Sequence, residues 1–145
     1  MLHSIKHLVF IFLVFFFTES LSLETDWSIN HESKVRLISP LSNNNDLSKL
    51  YLGLEYKLQK GWKTYWKSPG DGGFPQEINW SNSTNIKSLN IKWPTPEYFQ
   101  ILGINTLGYK EDIIFPLHII LEDPLSPTSI FLDLNYLTCK DICIP

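Results

Sequence analysis

The sequence predicts an all-β protein built as an antiparallel β-sandwich, and three observations carry that reading. Short stretches alternate apolar and polar residues with the period of two that a half-buried strand requires. The connections between them are dense in proline, glycine, asparagine and aspartate. No stretch has the spacing of a long amphipathic helix, and no internal repeat is visible. At 145 residues, with 43% hydrophobic and 14% aromatic content, the chain holds enough apolar material for one compact core.

At the N-terminus, "MLHSIKH" leads into "LVFIFLVFFF", an uninterrupted run of ten apolar residues, and "TESLS" then places Ser20 and Ser22 just before Leu23. Small residues at those two positions after a short apolar run are the layout of an export signal, and the run is shorter than a bilayer-spanning helix. Residues 1–22 are therefore read as a signal peptide and 23–145 as the exported domain, in an oxidising space where disulfides persist. If the segment is retained, it tethers the domain to the inner membrane.

The strand candidates run in chain order. The first is "KVRLIS" at 34–39. In "LYLGLEYKL", Leu50, Leu52, Leu54, Tyr56 and Leu58 share one face while Tyr51, Gly53, Glu55 and Lys57 share the other. "IKSLNIKW" (86–93), "IIFPLHIIL" (113–121) and "SIFLDLNYL" (129–137) complete the set, and "SPLSNNND", "SPGDGGFP", "WPTPE" and "EDPLSPT" read as turns. Proline has no N–H to give a ladder, so Pro116 is expected at a sheet edge or in a bulge.

Several function classes drop out. A formal charge of −3 with no run of Lys or Arg leaves no electrostatic footprint for nucleic acid or an anionic membrane. "SPGDGGFP" lacks the Lys-Ser/Thr and the following helix of a phosphate-binding loop, which leaves a turn. Asn79 and Asn82 begin glycosylation sequons, a short signal frequent by chance. His118 has no nucleophile elbow to serve, so it reads as a surface or edge-strand histidine.

The two cysteines, Cys139 and Cys143 in "LTCKDICIP", carry the remaining chemistry. Beyond the signal, the only other soft ligands are His31 and His118, with no methionine, too few for a closed zinc or soft copper site. As a staple the pair is weak, because closing so small a ring stabilises by only ~2 kcal/mol against ~3 for a 15-residue loop. Residues four apart in a strand lie roughly 13 Å apart, yet bridged Cα atoms lie within about 7 Å, so "CKDIC" has to bend. A short-range disulfide in a surface bend is of the exposed kind that exchanges readily. These features favour a redox pair over a structural disulfide and leave both open.

Four motifs, "GWKTYWKSPGDGGFP", "WPTPEYF", "LGYKEDIIFPL" and "LTCKDICIP", in that order, resemble the periplasmic N-terminal domain of the thiol:disulfide interchange protein DsbD family, nearest its ScsB-like branch, from about Tyr51 to Pro145. The resemblance implies an immunoglobulin-like β-sandwich with the cysteine pair at its surface, part of a protein-disulfide reductase system. It implies a periplasmic relay without cofactor or metal. Electrons would pass from a membrane-embedded DsbD-type domain through a thioredoxin-like donor to thioredoxin-fold acceptors such as disulfide isomerases and cytochrome c maturation proteins. Carried over, Cys143 forms the mixed disulfide with partners and Cys139 resolves it. Tyr98 and Phe99 correspond to an aromatic cap loop, with Glu97 beside them, and the two prolines of "WPTPEYF" favour a loop there. Tyr65 is placed near the sulfurs by the same resemblance, and Trp62, Trp66 and Trp93 in the core. Asp141, the carboxylate between the cysteines, is expected to raise a thiol pKa. Two other functions stand beside the relay: a non-catalytic immunoglobulin-like binding module with a structural disulfide, and a copper-tolerance or copper-handling domain. The family's spacer between the cysteines is commonly longer. The family also continues past this point, so the chain is read either as a fragment of a longer membrane protein or as a domain fed by another polypeptide.

Overall fold

Each alternating stretch buries its apolar face only when a second sheet lies across from it, and two sheets meet in this way here. The computed structural model describes residues 23–40 and 45–145. The signal peptide expected over 1–22 lies outside the described residues. In chain order the strands are β1 (Ser28–Ile29), β2 (Ser33–Ile38), β3 (Lys49–Leu58), β4 (Lys63–Gly70), β5 (Glu77–Asn79), β6 (Ile86–Ile91), β7 (Glu97–Ile101), β8 (Ile104–Lys110), β9 (Asp112–Leu121), β10 (Asp133–Asn135), β11 (Thr138–Cys139) and β12 (Cys143–Ile144). One five-stranded sheet runs β1-β2-β3-β9-β6, the other runs β12-β11-β4-β8-β7, and β10 pairs with β5 in a small ribbon. All ladders are antiparallel and no helix occurs among the described residues, so the fold is an all-β, immunoglobulin-like sandwich.

The core lies between the sheets. Leu54 and Tyr56 of β3, Phe115 and Leu117 of β9, Val35 of β2, Tyr109 of β8 and Tyr136 form its buried centre. The faces of β3 follow the alternation of its sequence. Phe115 is the hub, meeting Tyr56, Trp93 and Tyr109 edge-on at centroid distances of 5.3, 5.4 and 5.1 Å. Edge-on pairs set the positive ring edge against the negative face and add to the gain from burial. Trp66 and Trp93 pack on this core half-buried, whereas Trp62 is half-buried outside it.

Three sequence expectations about the backbone are corrected. Strand β9 lies inside its sheet, between β3 and β6, so Pro116 is not at an edge, and the register shift falls at Ile86/Ser88 instead. Pro116 opposes Gly53 of β3, while its carbonyl accepts the Lys92 N–H at 2.8 Å, just past the end of β6. Its missing donor therefore faces the end of β6 and leaves the β3 ladder intact. Second, "SIFLDLNYL" is not one strand: it makes a bridge at Ser129 and pairs with β5 only over Asp133–Asn135. Its alternation is still real, because Leu132, Leu134 and Tyr136 face the core. Third, Glu97, Tyr98 and Phe99 of "PEYF" are not a loop but the start of β7, and the first residues of "SPGDGGFP" close β4.

Candidate functional site

Cys139 and Cys143 face each other across the β11–β12 hairpin and are joined by a disulfide, with Cα atoms 4.1 Å apart. The bend that the spacing requires is the turn over Lys140, Asp141 and Ile142, closed by Lys140 N–H donating to the Ile142 carbonyl at 2.9 Å. Strand β11 is held from the other side by β4. Cys139 pairs with Lys63, and the Thr64 hydroxyl donates to the Leu137 carbonyl at 3.0 Å.

The two sulfurs sit in unlike places. Cys139 is 0% exposed, whereas Cys143 lies on the exposed side of the hairpin. Two residues along β4 from Lys63, and so on the same face, Tyr65 aims its hydroxyl at the bond. It donates to Cys139 Sγ at 3.1 Å and lies 3.8 Å from Cys143 Sγ. Burial pushes the Tyr65 phenol above its ordinary range, so it remains a proton donor at neutral pH.

Tyr65, Cys139, Phe99 and Ile101 form a second buried cluster, separate from the sandwich core. Gly108 of β8 makes room for it. Gly108 sits opposite Tyr65, and a Cβ there would stand 2.0 Å from the Thr64 carbonyl oxygen and 3.0 Å from the tip of the Phe99 ring. Only glycine lets that ring cross β8 toward the sulfurs. The ammonium groups of Lys63 and Lys110 flank the ring, each 5.6 Å from its centroid.

Past Tyr65 the β4–β8 register breaks, and the chain turns back across the tyrosine. Gly73, with φ +107, lies so flat on the Tyr65 ring that a Cβ would come within 2.3 Å of it. Gln76 fixes the far end of this loop by donating its side-chain amide to the Tyr65 carbonyl at 3.2 Å. The loop, the β7–β8 hairpin and Cys143 enclose a depression of about 230 Å³.

The other residues expected at the site are spread around it. Tyr98 and Phe99, successive residues of β7, point to opposite faces. Phe99 is 6% exposed in the cluster with Cys139, while Tyr98 is 62% exposed and donates its hydroxyl to Asn105 Oδ1. Glu97 opens β7, exposed, and pairs with Lys110 at 3.0 Å. Asp141 is exposed at the tip of the cysteine hairpin. His118 is half-buried on β9 with its ring 4.9 Å from that of Tyr51, in the other sheet. Sequence reasoning missed Gly73, Gly108, Leu102 and Phe74. The run of glycines in "SPGDGGFP" is the signal for the first, though a glycine run by itself indicates only a turn. Among the described residues, no three His, Cys, Asp or Glu side chains gather into a metal-ligating group, and no helix is long and apolar enough to cross a membrane.

Comparison with known proteins gives two matches. The family model described as thiol:disulfide interchange protein DsbD, N-terminal, matches residues 36–145. Among solved structures, the chain is similar to the N-terminal periplasmic domain of ScsB from Proteus mirabilis, with 31% identity and a TM-score of 0.70 over 86% of this chain. The chain spans about half of that structure, 48% of its length. No curated protein matches.

Proposed function

The chain belongs to the thiol:disulfide interchange protein DsbD N-terminal family, a family of thiol-disulfide exchange domains, and from that premise we propose that it is a periplasmic relay. In this reading it carries reducing equivalents from a thioredoxin-like donor to thioredoxin-fold acceptors through Cys139 and Cys143. The observation that carries the reading is the asymmetry of the bond: one sulfur is exposed, and the other is fully buried beneath a hydroxyl donor. An inert staple needs no such difference. An exchange centre does, because the partner must attack one sulfur in line while the other leaves.

Loading begins when a donor thiolate attacks Cys143 Sγ, the Sγ–Sγ bond breaks, and its electron pair leaves on Cys139 Sγ. That thiolate is met by the Tyr65 hydroxyl before taking a proton from solvent. The donor's second thiolate then attacks the donor sulfur of the mixed disulfide and expels Cys143. Two electrons and two protons have moved to this domain, and the donor holds the disulfide. Passing them to an acceptor reverses the roles: Cys143 attacks, and Cys139 resolves the mixed disulfide. Phe99 caps the buried sulfur in this scheme, and Tyr98, fixed to Asn105 on the opposite face, moves with the same strand.

The reduction potential tests the proposal. Equilibration with glutathione redox buffers, read by alkylation and mass spectrometry, is expected to give a value between about −300 and −180 mV, within reach of thioredoxin-fold partners. A potential well below about −300 mV would mark a structural bond and end the relay reading in favour of a binding module.

A further inference from the structure

The depression beside Cys143 is lined by no charged residue; Phe74, Leu102, Ile104 and Leu137 form its apolar walls. Leu102 is the unexpected member. It and Gly103 form the two-residue turn between the paired residues Ile101 and Ile104, with φ of 53° and 80°. A hairpin turn with both central residues at positive φ favours Asn-Gly or Gly-Gly, because a branched L side chain crowds its own backbone there. Gly103 fits this rule and Leu102 breaks it. The leucine is also 70% exposed, so burial in this chain does not offset the strain. Backbone strain of this kind gathers at functional sites, and here it stands beside the exposed Cys143.

We propose that Leu102, with Phe74 and Ile104, is the specificity-determining contact for the exchange partner. The depression receives an apolar side chain that flanks the reactive cysteine of a thioredoxin-like protein while that cysteine engages Cys143. The inference rests on the exchange reading above. Continuity selects this occupant: Cys143 itself lines the depression, so a protein whose sulfur reaches Cys143 must cover the depression as well. Ile142, next to Cys143 in the chain and 61% exposed, adds a further exposed apolar side chain at the cysteine hairpin.

The test substitutes Leu102→Asn, which suits the turn and removes the apolar contact. Reduction of the oxidised domain is followed by acid quench and alkylation, once with reduced bacterial thioredoxin and once with dithiothreitol. The variant is expected to melt no lower than the wild type. It should lose about tenfold in its second-order rate with thioredoxin, the size of one contact of ~1.4 kcal/mol, while its rate with dithiothreitol stays the same. Equal losses with both reductants, or no loss with thioredoxin, would overturn the proposal. A wild-type dimer in sedimentation that Leu102→Asn dissolves would also overturn it, by assigning the patch to a second copy. If the wild-type domain is reduced by neither reagent at a potential above about −300 mV, the exchange reading itself fails, a result distinct from a variant that merely matches the wild type.

Discussion

Two sulfurs of one bond meet different surroundings, and Tyr65 makes the difference chemical. Its hydroxyl donates to Cys139 Sγ, and a donor that favours the thiolate lowers the thiol pKa. Removing the hydroxyl therefore raises the Cys139 pKa and makes that sulfur a poorer leaving group. Tyr65→Phe is expected to slow reduction by dithiothreitol by about tenfold to a hundredfold, since a hydrogen bond to a charged group is worth ~1.5–3 kcal/mol. It should also move the pH profile of Cys139 alkylation to higher pH. An unchanged profile in the variant would leave Tyr65 as packing alone. The cysteines are legible in the sequence because they are the only two and sit close together. The position of the phenol is reached only through the resemblance. Its distance to the sulfur depends on the pairing of Lys63 with Cys139, a contact across 76 residues that no local pattern encodes.

At the scale of elements, the site is two hairpins of one sheet, β7–β8 and β11–β12, with β4 between β8 and β11. Glu97–Ile101 is a strand, so under the proposed relay uncovering Cys139 requires the β7 edge to shift rather than a loop to swing. Phe99→Ala leaves the strand and removes the ring. It is expected to speed alkylation of the buried Cys139 in the reduced protein by about tenfold if the cover is worth ~1.4 kcal/mol, while Tyr98→Ala changes the rate little. Equal effects of the two substitutions would show that the whole edge, and not the ring, controls access. These strands escape a reading by alternation for a physical reason. Thr64 and Tyr65 are adjacent in β4 and both buried, one beneath each face, because the second cluster covers the outside of this sheet. Alternation marks a strand only where one face meets water. By contrast β3, with one wet face, is legible almost to its ends. Pro94 and Pro96 next to β7 supply a turn signal that is correct for the connection and wrong for Glu97 to Phe99, which are already in the strand.

For the whole molecule, the sandwich core and the disulfide are separable. The core residues around Phe115 do not include either cysteine, and Cys139 belongs to the other cluster. Closing so small a ring adds only ~2 kcal/mol by the chain-entropy model. A domain that cycles between oxidised and reduced forms needs this separation, because each turnover breaks the bond. Reduction is therefore expected to leave the far-ultraviolet dichroism unchanged at 25 °C and to lower the melting midpoint by about 5–10 °C at most. Phe115→Ala, which empties the hub of the aromatic core, should cost more, ~3–5 kcal/mol. The comparison is made by thermal denaturation with and without a phosphine reductant. If reduction destabilises the domain as much as Phe115→Ala does, the bond holds the fold together, and a sandwich that came apart whenever it accepted electrons could not serve as a relay.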